Sequence, residues 1–75
     1  MIKYRVTTTT GDKVRSVDFF HKESAIKTYN DKRNYYMKHG FQLVDAGGNG
    51  DELCELWIKE GHRERNIEIY PININ

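Results

Sequence analysis

The sequence predicts an α+β fold: ββαβββ, a five-stranded antiparallel sheet with one helix packed on one face. Three observations predict it. Residues 2–20 alternate apolar and polar side chains on either side of a Gly-Asp dipeptide. Residues 22–39 carry apolar side chains at helical spacing, and residues 41–70 hold three further strand-like runs separated by glycine. A chain of 75 residues is expected to form one domain, 1–75, around one core.

In the first run, residues 2–10, Ile2, Tyr4 and Val6 share one face and Lys3, Arg5 and Thr7 the other. In the second, residues 13–20, Val17 and Phe19 share a face. Gly11-Asp12 between them is a two-residue connection with glycine first, which suits a type II′ turn. That turn sets a register in which Val6 faces Val17, Tyr4 faces Phe19 and Arg5 faces Asp18. Each of these is a favourable cross-strand pair.

Over residues 22–39, Glu23 suits the positive end of a helix and Lys38 and His39 the negative end. Gly40 can take the left-handed conformation that closes it. Ala25, Tyr29, Tyr36, Ile26 and Met37 fall within an arc of about 120°, wide enough to cover a sheet. Arg33 lies inside that arc and is expected to run its stem along the core edge.

The remaining runs are residues 41–46, 52–60 and 63–70. Gly47-Gly48-Asn49-Gly50 connects the first two, and the glycine-first pair Gly61-His62 connects the last two. A two-residue loop at Gly61-His62 places Leu56 opposite Ile67, Cys54 opposite Ile69 and Trp57 opposite Asn66. It also places Leu53 opposite Tyr70 and Glu55 opposite Glu68. Pro71 lacks an amide donor and is predicted to end the strand or mark an edge.

One helix covers one face of such a sheet. Cys54, Leu56 and Ile58 form an unbroken apolar row, whereas the alternate row holds Glu55 and Lys59, which are costly to bury unpaired. The helix is therefore assigned to the first row, and Leu53 and Trp57 to the open face. Tyr70 and Val44 join them, with Glu55 and Glu68 at the rim. Trp and Tyr amid polar residues compose binding hot spots. The competing place for Trp57 is the core. Glu55 and Glu68 face to face would admit a partner's Arg or Lys, or stand as a solvent-screened pair.

The expected function is thus a small non-enzymatic protein-binding module. Val44, Leu53, Glu55, Trp57, Glu68 and Tyr70 would contact a protein partner or a second copy in a homo-oligomer. Asn, Ile, Lys and Tyr make up 25 of 75 residues, as AT-rich coding would give. Size and composition suit a phage or mobile-element inhibitor of a host protein.

Charge supports a second class of function. Residues 1–40 carry nine Lys/Arg against four Asp/Glu, or +5, and residues 41–75 carry three against seven, or −4. The two halves either exchange salt bridges across the sheet or present charged faces to partners. In the alternative reading the chain binds nucleic acid. Its basic helix face (Lys27, Arg33 and Lys38, with Tyr35 outside the apolar arc) and the N-terminal hairpin would supply phosphate contacts and stacking.

No nucleophile–base set can be named, so catalysis is not expected. The Gly47–Gly50 run is followed by Asp51 and Glu52 rather than Lys-Ser/Thr, which argues against a phosphate loop. Asp45, Asn49, Asp51 and Glu52 lack calcium-loop spacing, and His21, His39 and His62 sit at separate element ends. No metal or cofactor is expected. The single cysteine, Cys54, precludes an internal disulfide and suits a reducing compartment. Its apolar run predicts a buried thiol. No leader and no apolar run of about 18 residues is present, so a cytoplasmic chain without membrane contact is expected.

Overall fold

The computed structural model describes residues 1–61 and 63–74. Its elements are β1 (Ile2–Thr10), β2 (Lys13–Phe19), α1 (Lys22–Lys38), β3 (Gln42–Asn49), β4 (Glu52–Lys59) and β5 (Arg63–Asn73). The strands form one antiparallel sheet in the order β2-β1-β5-β4-β3. The ββαβββ architecture is the predicted one. The last strand inserts between the first and fourth, leaving β2 and β3 as edges.

The first hairpin has the predicted register, with Val6 opposite Val17, Tyr4 opposite Phe19 and Arg5 opposite Asp18. The Arg5 guanidinium donates to Asp18 at 2.7 and 3.0 Å and holds that carboxyl below the usual range. Gly11 has φ +61, as a glycine-first turn requires, and a Cβ there would meet no atom within 4 Å. Gly11→Val is therefore expected to lower stability through backbone strain alone, by about 1–3 kcal/mol. Chemical denaturation measures this, and an unchanged midpoint would contradict the turn assignment.

Helix α1 ends as predicted, with Gly40 at φ +86 and the Phe41 amide donating back to the Tyr36 carbonyl at 2.9 Å. Ala25, Tyr29 and Tyr36 turn inward and join Val6, Phe41, Trp57, Ile67 and Ile69 in the core. The helix packs on β1, β5 and β2. Ile26 and Met37, predicted on the same arc, lie at its margin and are 37% and 50% exposed.

Two turns differ from expectation. Strand β3 continues to Asn49: Gly47 pairs with Cys54 and Gly48 with Leu53, so the connection is Gly50-Asp51 alone. Gly50 has φ +66, and this is the same glycine-first Gly-Asp pair that closes the first hairpin. Between β4 and β5, Lys59 pairs with Arg63, so residues 60–62 make the connection instead of Gly61-His62. His62 itself lies outside the described residues. Glu60 and Gly61 both have positive φ, 57° and 73°.

That one extra residue slips the register. Trp57 faces Arg65, Leu56 faces Asn66, Glu55 faces Ile67, Cys54 faces Glu68 and Leu53 faces Ile69. A one-residue slip exchanges the two faces of a strand. Leu53, Glu55 and Trp57 therefore lie on the helix side, and Cys54, Leu56 and Ile58 on the other, the reverse of the prediction. Pro71 does not end its strand. It pairs with Tyr4 within β5, beyond the last β4 partner at Ile69, where β5 is locally an edge and tolerates a missing donor. Among the described residues no helix is long and apolar enough to cross a membrane.

Candidate binding site

Trp57 is 2% exposed and belongs to the core, which removes it from the predicted open face. The Tyr36 ring lies 6.2 Å from it and the Arg33 guanidinium 5.9 Å. Glu55 goes in with it. One oxygen, Oε1, accepts from Arg33 Nε at 2.8 Å and from Trp57 Nε1 at 3.1 Å, and the Glu55 side chain is only 12% exposed. Unpaired burial of this carboxylate would be unfavourable; Arg33, reaching over from the helix, makes it admissible. Nearby, the Tyr29 hydroxyl is buried with no hydrogen-bond partner among the described residues. Burial, and next the Glu55 charge, raise its pKa.

Glu68 stands on the opposite face, across from Cys54, so Glu55 and Glu68 do not form a carboxylate pair. Tyr70 shares that open face. It is half-buried, with its hydroxyl 3.4 Å from Thr7 Oγ1 and Arg5 across from it in β1. Cys54 is half-buried rather than buried. Its thiol lies 3.7 Å from Asn66 Oδ1, and burial raises its pKa. Val44 sits at a register shift between Leu43 and Asp45 and is exposed. Of the six predicted contact residues, the structure thus puts Leu53, Glu55 and Trp57 on one face and Glu68 and Tyr70 on the other.

A different apolar surface is left open on the helix side. Five strands at about 4.8 Å spacing span about 19 Å, whereas a helix with its side chains is about 10 Å across. With α1 centred on β1, β5 and β2, the helix-side face of β3 and of the β4 end stays bare. Every residue of β3 is exposed. The floor of this ledge holds Leu43, opposite Trp57, and Leu53, opposite Gly48; they are 41% and 44% exposed.

The helix supplies a wall. At 100° per residue, Lys22, Arg33, Ile26 and Met37 fall in one sector of about 60°. Lys22 pairs with Asp51 in the β3–β4 turn and Arg33 with Glu55 in β4, so this sector faces the ledge. Gly48 keeps the floor low and close to β4: a Cβ there would lie 2.1 Å from the Glu52 carbonyl oxygen. Leu43, Ile26 and Met37 were not predicted as site residues. The available signal was the mismatch between one helix and five strands.

The alternative set is divided as well. Lys27 pairs with Asp31 at 2.9 Å on the outer helix surface. Tyr35 is exposed, with the His39 ring 4.1 Å away and Lys32 at 6.0 Å, and Lys38 is exposed. Arg33 faces the sheet instead. The strand order also sets the basic half (β1, β2, α1) beside the acidic half (β3, β4, β5), joined by Lys22–Asp51 and Arg33–Glu55.

Comparison with protein families, curated proteins and solved structures finds no match.

Proposed function

We propose that this chain is a small, non-enzymatic protein-binding module that seats an amphipathic helix of its partner on the bare helix-side ledge of β3 and β4. The carrying observation is that four exposed apolar side chains, Ile26, Met37, Leu43 and Leu53, border a strip of sheet about one helix wide. A helix laid beside α1 would complete the second layer that five strands call for. This is helix-in-groove recognition, with affinity from apolar burial and orientation from the flanking charges. Each large side chain fully covered contributes roughly 1.5–3 kcal/mol before the cost of association. The ledge is already half-covered, so the lower figure applies.

The test is affinity capture from a nuclease-treated lysate of the source cells with three forms of the chain. These are wild type, Leu43→Asp/Leu53→Asp, and Val14→Asp as a charge control at an exposed position on the opposite edge strand. Both altered sites are surface positions, so circular dichroism should report an unchanged fold. The expected result is a protein retained by wild type and Val14→Asp and at least tenfold depleted with the ledge variant. Equal retention by the ledge variant would remove the ledge as the site.

A further inference from the structure

On the other flank of α1, the helix and the first hairpin enclose a cleft of about 200 Å3 lined by Thr8, Thr10, Lys13, Arg15, Lys32 and Tyr36. Strand pairing builds its floor. Lys13 stands opposite Thr10 and Arg15 opposite Thr8, alternate residues that all point to the helix side. Lys32 closes it from above, one helical turn before Tyr36, whose buried ring forms the inner end.

Among the described residues the lining contains three cations, three hydroxyl-bearing side chains (Thr8, Thr10 and Tyr36) and no carboxylate. Of the acids near the cleft in sequence, Asp31 is paired with Lys27 at 2.9 Å, and Asp12, beside Lys13 in the turn, is not among the lining residues. Among the described residues, Lys13, Arg15 and Lys32 form no ion pair. Three positive groups around one concavity repel each other and raise the local concentration of anions. The donor set narrows the anion. Arg presents a planar fork that binds two oxygens at once, Lys a rotatable point charge, and Thr a hydroxyl donor. Together they match an anion with three or more acceptor oxygens pointing in different directions, more than a carboxylate offers.

We propose that this cleft binds a phosphate group. The site lies at the basic edge of the sheet, where β2 has no further neighbour, so either a free phosphate or one unit of a phosphodiester chain can enter. It is separate from the apolar ledge, and its test does not depend on that reading.

Two arms distinguish the sources. In the first, inorganic pyrophosphate is titrated into the 15N-labelled chain and followed by amide shifts against sodium chloride of equal ionic strength. Saturable shifts are expected at Thr8, Thr10, Lys13, Arg15 and Lys32, with affinity at least tenfold weaker in Arg15→Gln/Lys32→Gln. In the second, a labelled ten-nucleotide oligothymidylate is titrated by anisotropy. Binding that falls with salt and is displaced by pyrophosphate assigns the phosphodiester. Pyrophosphate binding without oligonucleotide binding assigns a free phosphate compound. Shifts that follow the chloride control, or affinities unchanged in the double variant, would overturn the proposal. All the altered side chains are exposed, so the variants should stay folded.

Discussion

Trp57→Ala is expected to remove about 3–5 kcal/mol of stability, the usual cost of truncating a buried aromatic side chain. Trp57 is 2% exposed and lies between the helix, through Tyr36, and the sheet, opposite Leu43 and Arg65. Its loss opens a cavity and also deprives Glu55 of the indole donor at 3.1 Å. A domain of this size holds only about 4–11 kcal/mol in total, so the variant should melt about 20–30 °C lower or be largely unfolded at room temperature. Trp57→Phe keeps most of the ring volume, loses only the indole donor and should cost less than half as much. Thermal melting of the two variants by circular dichroism checks both. A Trp57→Ala midpoint within 3 °C of wild type would put the indole back at the surface.

The first hairpin and the helix were legible because local chemistry decided them. A Gly-Asp turn set one register, and Val6–Val17 and Arg5–Asp18 agreed with it. The same logic applied to Gly50-Asp51 yields the observed β3–β4 turn. The neighbouring Gly47 and Gly48 obscured it, since glycine-rich runs look like loops and these two are strand residues. The β4–β5 register was harder to read. Glu60 takes φ 57, a conformation uncommon for a residue with a side chain, and it adds one residue to the connection. That slip turned the β4 faces over and moved Trp57 and Glu55 from the predicted site into the interior. Two oddities of the sequence did point to the answer: a cation on the apolar arc of the helix and a carboxylate in the row with the tryptophan. Each is unfavourable alone, and each is the other's partner. The ledge was not legible from any single element, because it arises from the width of five strands under one helix.

The Arg33–Glu55 pair leads to the second large effect. Arg33→Met is expected to destabilise the chain by about 2 kcal/mol, less than the 3–5 kcal/mol typical of fully buried pairs. The reason for the smaller figure is exposure: the Arg33 side chain is 34% exposed and Glu55 12%, so solvent screens part of the interaction. The methionine stem still covers the Trp57 ring, so packing is largely kept and the loss reports the charge left behind. The Glu55 carboxylate would retain the indole donor but no countercharge. Glu55→Gln removes that charge while its amide oxygen can still accept from Trp57 Nε1. The double variant Arg33→Met/Glu55→Gln should therefore be more stable than Arg33→Met alone, by about 1 kcal/mol. Chemical denaturation of the four members of this cycle measures the coupling directly. Strictly additive losses would mean that the two side chains act independently, and the contact between the helix and β4 would then rest on Tyr36 and Trp57.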